Sequence, residues 1–232
     1  MADLQDQVAI IVGSSSGMGR ATALSYSQAG ATVVLAARNT NKLETLAAEI
    51  GDNVLVCPTD VEAAEQVEQL IAKTIDAFGR VDILVYATGT NIPERSLQDV
   101  SYATWNMMLA TNLTGAFYCT KAVLPTMRAQ GSGLIIYLSS GCVQMPDVSG
   151  VSYQASKCGV SGLAHGTFRE EQASGVRTTV IFPGLCDTPL VFKRPTPTPP
   201  EVMAKALQPQ DVADACLFVA QLPERARVSE LV

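Results

Sequence analysis

Short apolar runs alternate with amphipathic stretches along the whole chain, and this alternation limits the possible folds more than any other feature. Six runs have the length and composition of β-strands: 8–12, 31–36, 53–57, 81–86, 134–138 and 177–182. Helical patterns lie between and after them, at 20–29, 42–50, 62–78, 101–129, 153–173 and 210–222. Strands that are apolar throughout and separated by helices are typical of a parallel sheet that is buried on both faces.

The expected fold is therefore α/β, a doubly wound parallel sheet of the Rossmann type with helices on both faces. Residues 228–232 resemble the start of a further strand, so a sheet of six to seven strands is expected. We predict a single domain over 1–232, because no linker-like break divides the chain. The proline-rich stretch at 195–200 comes too late to separate two domains, and we interpret it as a loop.

Composition argues against several classes of protein. A net charge of −6 does not suit a nucleic-acid-binding surface, which needs clustered lysine and arginine. No apolar run approaches the length of a membrane span, and the first residues do not resemble a signal peptide, so a cytoplasmic protein is expected. The six cysteines form no C-x-x-C pair and His165 is the single histidine, so we expect neither a metal site nor a disulfide framework.

The first predicted strand runs into a glycine-rich turn that is followed directly by a helix. Glycines allow the backbone to turn tightly and to approach a pyrophosphate, whose charge is attracted by free N–H groups at the helix N-terminus. A plain tight turn between strand and helix is the alternative. The turn predicts a dinucleotide site that includes Gly13, Ser15, Ser16, Gly17, Met18 and Gly19.

The end of the second predicted strand bears on the choice of cofactor. An enzyme that uses NAD places an acidic residue there, which binds the ribose 2′-hydroxyl. In this chain the acid is missing and Arg38 stands beside its expected position. A guanidinium can bind a 2′-phosphate, so NADP(H) is favoured. NAD(H) stays an alternative, because Arg38 is also compatible with a solvated charge at a helix entry.

Tyr153 and Lys157 lie four residues apart on a predicted helix and therefore share one face. An isolated tyrosine is a poor acid–base group near neutral pH, but a nearby lysine cation favours the phenolate and lowers the tyrosine pKa. This spacing is common in helices. The Tyr153–Lys157 spacing becomes significant because of Ser140, which lies at the end of a predicted strand, where a substrate carbonyl could bind.

In these features the chain resembles the short-chain dehydrogenase/reductase family, in the subgroup with a GxxxGxG turn and a YxxxK active site. The resemblance covers nearly the whole length, and the motifs follow the family's order. They are the glycine turn, Asp60-Val61, Asn112, Ser139-Ser140, Tyr153 with Lys157, Pro183-Gly184 and Thr188. The resemblance implies an NADP(H)-dependent oxidoreductase that interconverts a ketone or aldehyde and the corresponding alcohol.

The resemblance also implies a role for each catalytic residue. Tyr153 acts as general acid in reduction and as base in oxidation. Lys157 holds the nicotinamide ribose and lowers the pKa of Tyr153. Ser140 polarises the substrate oxygen, and Asn112 holds a water that relays protons from Lys157.

Further residues are expected to contact the cofactor. By resemblance, Asp60 and Val61 contact the adenine, and Gly89 lets the backbone approach the dinucleotide. Pro183 and Gly184 line the nicotinamide pocket, and Thr188 bonds the carboxamide. A substrate loop is expected at about 185–207, and the family's subunit interfaces imply a homodimer or homotetramer.

Two departures from the family pattern stand out. Val12 replaces a threonine, and Tyr86-Ala-Thr-Gly89 replaces the family's Asn-Asn-Ala-Gly. The loss of those asparagines puts local hydrogen bonding in doubt more than catalysis. For Lys193-Arg194, a solvated charge pair is favoured over a role in binding an anionic substrate, and His165 is expected to be structural or to lie at a subunit contact.

Other functions stay open at this point. Within enzymes, the alternatives are an NAD-dependent alcohol dehydrogenase and a 3-oxoacyl thioester reductase. The non-enzymatic alternative is a dinucleotide-binding sensor or scaffold. Such a protein could lose Ser140, Tyr153 or Lys157 without penalty, whereas all three are present.

Overall fold

A computed structural model describes residues 3–232 and arranges their strands in one parallel sheet between two layers of helices. The strands are β1 (Val8–Val12), β2 (Thr32–Ala37), β3 (Val54–Pro58), β4 (Ile83–Tyr86), β5 (Gly133–Leu138), β6 (Val176–Ile181) and β7 (Glu230–Leu231). Their order across the sheet is β3-β2-β1-β4-β5-β6-β7. The predicted fold class is confirmed, and the 228–232 segment supplies the seventh strand.

The helices differ from the predicted ones in two places. They are α1 (Gly17–Gln28), α2 (Thr40–Ile50), α3 (Ala64–Phe78), α4 (Tyr102–Leu109), α5 (Gly115–Gln130), α6 (Val151–Glu171), α7 (Pro200–Met203) and α8 (Pro209–Ala220). The helix predicted at 101–129 is divided by a π-helical turn, Ala110–Thr114. The loop predicted at 195–200 runs into α7, because Pro200 occupies the first helical position, where its missing N–H costs nothing.

The two faces of the sheet are buried in two separate clusters. Val8, Ile10 and Val12 of β1 pack with residues of α3, α5 and α6. Ala9 and Ile11, which point to the opposite face, pack with residues of α1, α2 and α8. Every position of a central strand therefore faces a hydrophobic layer, which explains why the apolar runs in the sequence are continuous rather than alternating.

The direction of the chain reverses between β1 and β4. From β1 the chain proceeds outward to β2 and β3, and it then returns to place β4 on the other side of β1. In open sheets of this kind a crevice forms at such a reversal, outside the carboxyl ends of the strands. The glycine turn after β1 and the residues after β4 and β5 all lie at this edge.

Long-range hydrogen bonds join α1 to α8, and one of them involves Tyr26. The hydroxyl of Tyr26, which is fully buried, donates to the Cys216 carbonyl of α8 at 3.0 Å. This bond joins the helix that follows the glycine turn to the last helix of the chain.

Replacing Tyr26 with phenylalanine removes the bond and preserves the packing of the ring. We expect Tyr26→Phe to lower the free energy of unfolding by about 1 kcal/mol in chemical denaturation. Tyr102→Phe is the matched control, because Tyr102 is 92% exposed and its loss of a hydroxyl should leave stability unchanged. Equal effects of the two substitutions would contradict the assignment.

Candidate active site

The glycine turn after β1 is packed backbone against backbone. Gly13 has a φ of +92°, and a Cβ on it would lie 2.8 Å from the Thr88 nitrogen. A Cβ on Gly19 would lie 2.4 Å from the Gly13 carbonyl oxygen. Side chains are therefore excluded at both positions, and the turn is held close against the segment that follows β4.

The N-terminus of α1 suits a bound anion. The N-cap residue Ser16 makes no side-chain capping bond, and the first turn carries no acidic residue. The first N–H groups of a helix lack partners within the helix and carry partial positive charge. The turn and the helix start therefore fit a pyrophosphate group.

A cleft with a volume of about 360 Å³ extends from this turn along the carboxyl edge of the sheet. Twelve of the predicted site residues line it: Gly13, Ser15, Ser16, Gly17, Met18, Arg38, Asp60, Val61, Gly89, Tyr153, Lys157 and Thr188. The other five do not line the cleft: Gly19, Asn112, Ser140, Pro183 and Gly184. Pro183 is nevertheless joined to the segment of Ser140, because its carbonyl accepts a hydrogen bond from the Gly141 nitrogen at 2.9 Å.

One end of the cleft is formed by the residues after β2 and β3. Arg38 is exposed there and lines the cleft beside Asn39, whose side chain caps α2 by accepting from the Lys42 nitrogen at 3.0 Å. Asp60 is bound into its own loop, where its carboxylate accepts from the Glu62 nitrogen at 3.1 Å. The end of β2 thus presents a cation and an amide rather than a carboxylate.

At the other end of the cleft, Tyr153 and Lys157 face the carboxyl end of β5. Tyr153 is 9% exposed and Lys157 is 4% exposed. The Lys157 ammonium donates to the Leu138 carbonyl at 2.9 Å and lies 5.8 Å from the centre of the Tyr153 ring. A Cβ on Gly89 would lie 3.2 Å from that ammonium, so the glycine leaves room for it.

Burial decides the protonation of both groups. Burial raises the pKa of Tyr153 to about 12. The Cys142 thiol also raises this pKa, whereas the Ser140 hydroxyl lowers it. Burial also lowers the pKa of Lys157 to about 8. The net change at Tyr153 is therefore opposite to the lowering expected from Lys157, because burial outweighs the lowering by Ser140 and Arg95.

Asn112 is fully buried in the π-helical turn and holds the segment after β4 in place. Its side-chain oxygen accepts from the Thr90 nitrogen at 2.8 Å, and its amide donates to the Thr90 carbonyl at 3.1 Å. The amide also donates to the Ser156 hydroxyl of α6 at 3.0 Å. Asn112 therefore connects three parts of the site, and its side chain is occupied by these contacts.

Two residues of the site region, Thr90 and Arg95, were not assigned a function from the sequence. Thr90 lines the cleft, and its hydroxyl accepts from the Lys193 ammonium at 3.1 Å. Arg95 is buried and bonds to the main chain of the 185–207 segment. No local pattern marks these positions, because their partners are distant in sequence.

Other candidate residues lie outside the cleft. The His165 Nε2 of α6 lies 2.9 Å from the Glu230 Oε1 of β7, so this contact connects the sixth helix to the last strand. Within residues 3–232, no group of three or more His, Cys, Asp or Glu side chains is arranged to hold a metal ion. No helix over the same residues is long and apolar enough to cross a membrane.

Comparison with known proteins identifies the family of the chain. The family model for the short chain dehydrogenases matches residues 7–197. The chain belongs to this family.

Individual relatives extend the match to the whole chain. An uncharacterized oxidoreductase of Staphylococcus haemolyticus is 37% identical over all of this chain and 98% of its own length. A 3-ketoacyl-(acyl-carrier-protein) reductase from Brucella melitensis, solved with NADH, superposes with a TM-score of 0.92 at 25% identity, covering 99% of this chain and 97% of its own. An alcohol dehydrogenase from the archaeon Thermococcus sibiricus, solved with 5-hydroxy-NADP, superposes with a TM-score of 0.87 at 30% identity. The match covers 97% of this chain and 94% of the archaeal one.

Membership of the short-chain dehydrogenase family makes the glycine turn the expected place of the nicotinamide dinucleotide. We expect Gly19→Ala to raise the Kd for NADH and NADPH by about tenfold or more, because the new Cβ forces the turn away from Gly13. Fluorescence titration measures both constants. Gly166→Ala in α6, where a Cβ meets no neighbouring side chain, is the control and should bind normally. Unchanged affinity in Gly19→Ala would contradict the placement.

Proposed function

We propose that this protein is an NADP(H)-dependent oxidoreductase that interconverts a ketone or aldehyde and the corresponding alcohol. The observation that carries the proposal is the position of Tyr153 and Lys157 in the cleft that begins at the glycine turn, with Ser140 beside Tyr153 at the carboxyl end of β5. A dinucleotide lying along this cleft brings its nicotinamide to that end. When bound, the nicotinamide supplies or accepts the hydride.

In the proposed reduction, Ser140 and Tyr153 bind the substrate oxygen. The Ser140 hydroxyl donates to the carbonyl and stabilises the charge that develops on its oxygen. The Tyr153 hydroxyl then transfers its proton to that oxygen. A Tyr153 pKa of about 12 keeps the phenol protonated near neutral pH, which is the form that this step needs.

Lys157 is proposed to act in two ways. Its ammonium, anchored by the Leu138 carbonyl, holds the nicotinamide ribose, and its charge stabilises the phenolate that remains after proton transfer. With a pKa of about 8, Lys157 is largely a cation at pH 7 and loses this charge above pH 8. Asn112 is proposed to hold a relay water, although its side-chain amide already binds Thr90 and Ser156.

The cofactor contacts are proposed along the same cleft. The six residues of the turn, from Gly13 to Gly19 without Ser14, hold the pyrophosphate, and Asp60 with Val61 contacts the adenine. Gly89 allows a close approach of the dinucleotide. Pro183, Gly184 and Thr188 form the nicotinamide pocket, and the side chain of Thr188 is close enough that a Cβ on Gly17 would lie 3.2 Å from it.

NADP(H) is preferred in this proposal because of the charges at the end of β2. Arg38 is exposed at the cleft and available to a 2′-phosphate, and no carboxylate follows β2 that would repel one. The archaeal alcohol dehydrogenase bound to 5-hydroxy-NADP supports this choice, whereas the Brucella reductase bound to NADH represents the alternative. Because the Brucella protein is a 3-ketoacyl-(acyl-carrier-protein) reductase, 3-oxoacyl thioesters are the second candidate substrate class.

The segment at 185–207 is proposed to be the substrate loop. Its two ends are paired through the backbone. Cys186 and Leu207 form an isolated parallel β-bridge, and the Asp187 nitrogen donates to the Leu207 carbonyl at 2.7 Å. Because its two ends are joined, the residues between them can cover the substrate as one unit.

A homodimer or homotetramer is also proposed. The side chain of Phe117 on α5 is 44% exposed, and this exposed aromatic residue supports a subunit interface at α5.

Tyr153→Phe removes the proton donor and keeps the ring. We expect turnover of ketones to fall by about 100-fold or more, because phenylalanine has no hydroxyl that could donate a proton to the substrate oxygen. The Kd for NADPH should stay within about threefold, since the phenol contributes little to cofactor binding. Nicotinamide absorbance measures turnover, and fluorescence measures binding. Tyr102→Phe is the control, and substantial activity in Tyr153→Phe would contradict the assigned role.

Arg38→Ala tests the cofactor preference. We expect the Kd for NADPH to rise by about 10- to 100-fold while that for NADH changes little, because only NADPH carries the 2′-phosphate. The control is Arg225→Ala, which removes an exposed arginine outside the cleft. Equal Kd values for the two cofactors in the wild-type protein would overturn the preference.

A further inference from the structure

Arg95 is a buried arginine that the proposed mechanism does not use. Its exposed fraction is 6%. Its Nε donates to the Ile92 carbonyl at 2.8 Å, and its Nη2 donates to the Lys193 carbonyl at 2.7 Å. Arg95 thus joins the segment that follows β4 to the 185–207 segment, which are two walls of the same site.

Arg95 lies beside the start of the helix that carries Tyr153. A Cβ on Gly150, the residue before α6, would lie 2.6 Å from the Arg95 Cβ, so the two backbones are in close contact. Tyr153 follows within the first turn of α6, a rise of about 5 Å. Arg95 is close enough that its charge lowers the pKa of Tyr153. Arg95 does not line the dinucleotide cleft, whereas Lys193, whose carbonyl it binds, does.

The charge of Arg95 is incompletely balanced. A buried guanidinium is normally paired with a carboxylate, but no carboxylate between residues 3 and 232 lies within 4 Å of Arg95. Asp147 is the acidic side chain that influences it from farther away, and Arg194 opposes that influence. The first turn of α6 adds no acidic residue. Burial accordingly lowers the pKa of Arg95, as expected for a charge without a partner.

We propose that Arg95 binds a carboxylate of the substrate, and that the substrates are short oxo acids and the corresponding hydroxy acids. The inference rests on the proposed function and specifies its substrate class. Within residues 3–232 the Arg95 Nη1 has no hydrogen-bond partner, so its donors are available to a carboxylate oxygen. Because Arg95 lies beside the start of the helix that carries Tyr153, the carboxylate and the reacting carbonyl are expected to belong to the same small molecule.

A matched pair of substrates separates this role from a purely structural one. Acetoacetate and methyl acetoacetate carry the same ketone, and only the first carries a carboxylate. The test measures kcat/KM for both with saturating NADPH in the wild type, Arg95→Gln and Arg95→Lys. Arg225→Gln, which removes an exposed arginine outside the cleft, is the control for loss of charge alone.

We expect the wild type to prefer acetoacetate by about tenfold or more. Arg95→Gln should lower kcat/KM for acetoacetate by about 10- to 100-fold more than it lowers kcat/KM for the methyl ester, which loses only the effect of the bonds to Ile92 and Lys193. Arg95→Lys should retain most of the preference, and Arg225→Gln should change neither value. Equal losses for both compounds in Arg95→Gln would show that Arg95 only holds the loop, and equal use of both by the wild type would also overturn the inference.

The two proposals fail in different ways. If the methyl ester is reduced and the acid is not preferred, the proposed function stands and the substrate class is wrong. If NADPH binds and neither compound is reduced, the proposed function fails. Calorimetry of 3-hydroxybutyrate with the NADP⁺-loaded protein then decides the role of Arg95. Binding that Arg95→Gln abolishes supports it, and absence of binding in the wild type overturns it.

Discussion

Burial of the parallel sheet on both faces is the constraint on which the rest of this structure depends. Helices cover both faces, so the central strands cannot present functional side chains there. Because all seven strands are parallel, their carboxyl ends lie at one edge. The segments that leave those ends, from the glycine turn after β1 to the 185–207 segment after β6, therefore converge. The catalytic candidates are distant in sequence and close in space for this reason.

The same burial determines the electrostatics of the site. Removal from water disfavours charge, so it raises the pKa of Tyr153 and lowers that of Lys157. Arg95 behaves differently, because a guanidinium stays charged in proteins. The site thus combines a titratable pair with the fixed charge of Arg95, which in our proposal discriminates among substrates.

Local patterns explain which parts of the site the sequence could reveal. The glycine turn and the Tyr153–Lys157 pair are each contained in one turn or one helix, so spacing alone identifies them. The contacts of Asn112 with Thr90 and Ser156 join residues 22 and 44 positions apart, and that of Arg95 with Lys193 joins residues 98 apart. Hydrophobic periodicity carries no information about such pairs. It also fails at the π-helical turn, where one inserted residue leaves the helical pattern almost unchanged.

The departure from the family pattern at Tyr86 introduces another such long-range contact. The Tyr86 hydroxyl donates to the Thr111 carbonyl at 2.6 Å, within the π-helical turn. A Cβ on Gly115 would lie 2.6 Å from that hydroxyl oxygen, so the tyrosine requires a glycine at the start of α5. The phenol thereby ties β4 to the turn that holds Asn112, which in turn fixes Thr90. A buried tyrosine therefore anchors the segment that faces the cleft to the core of this protein.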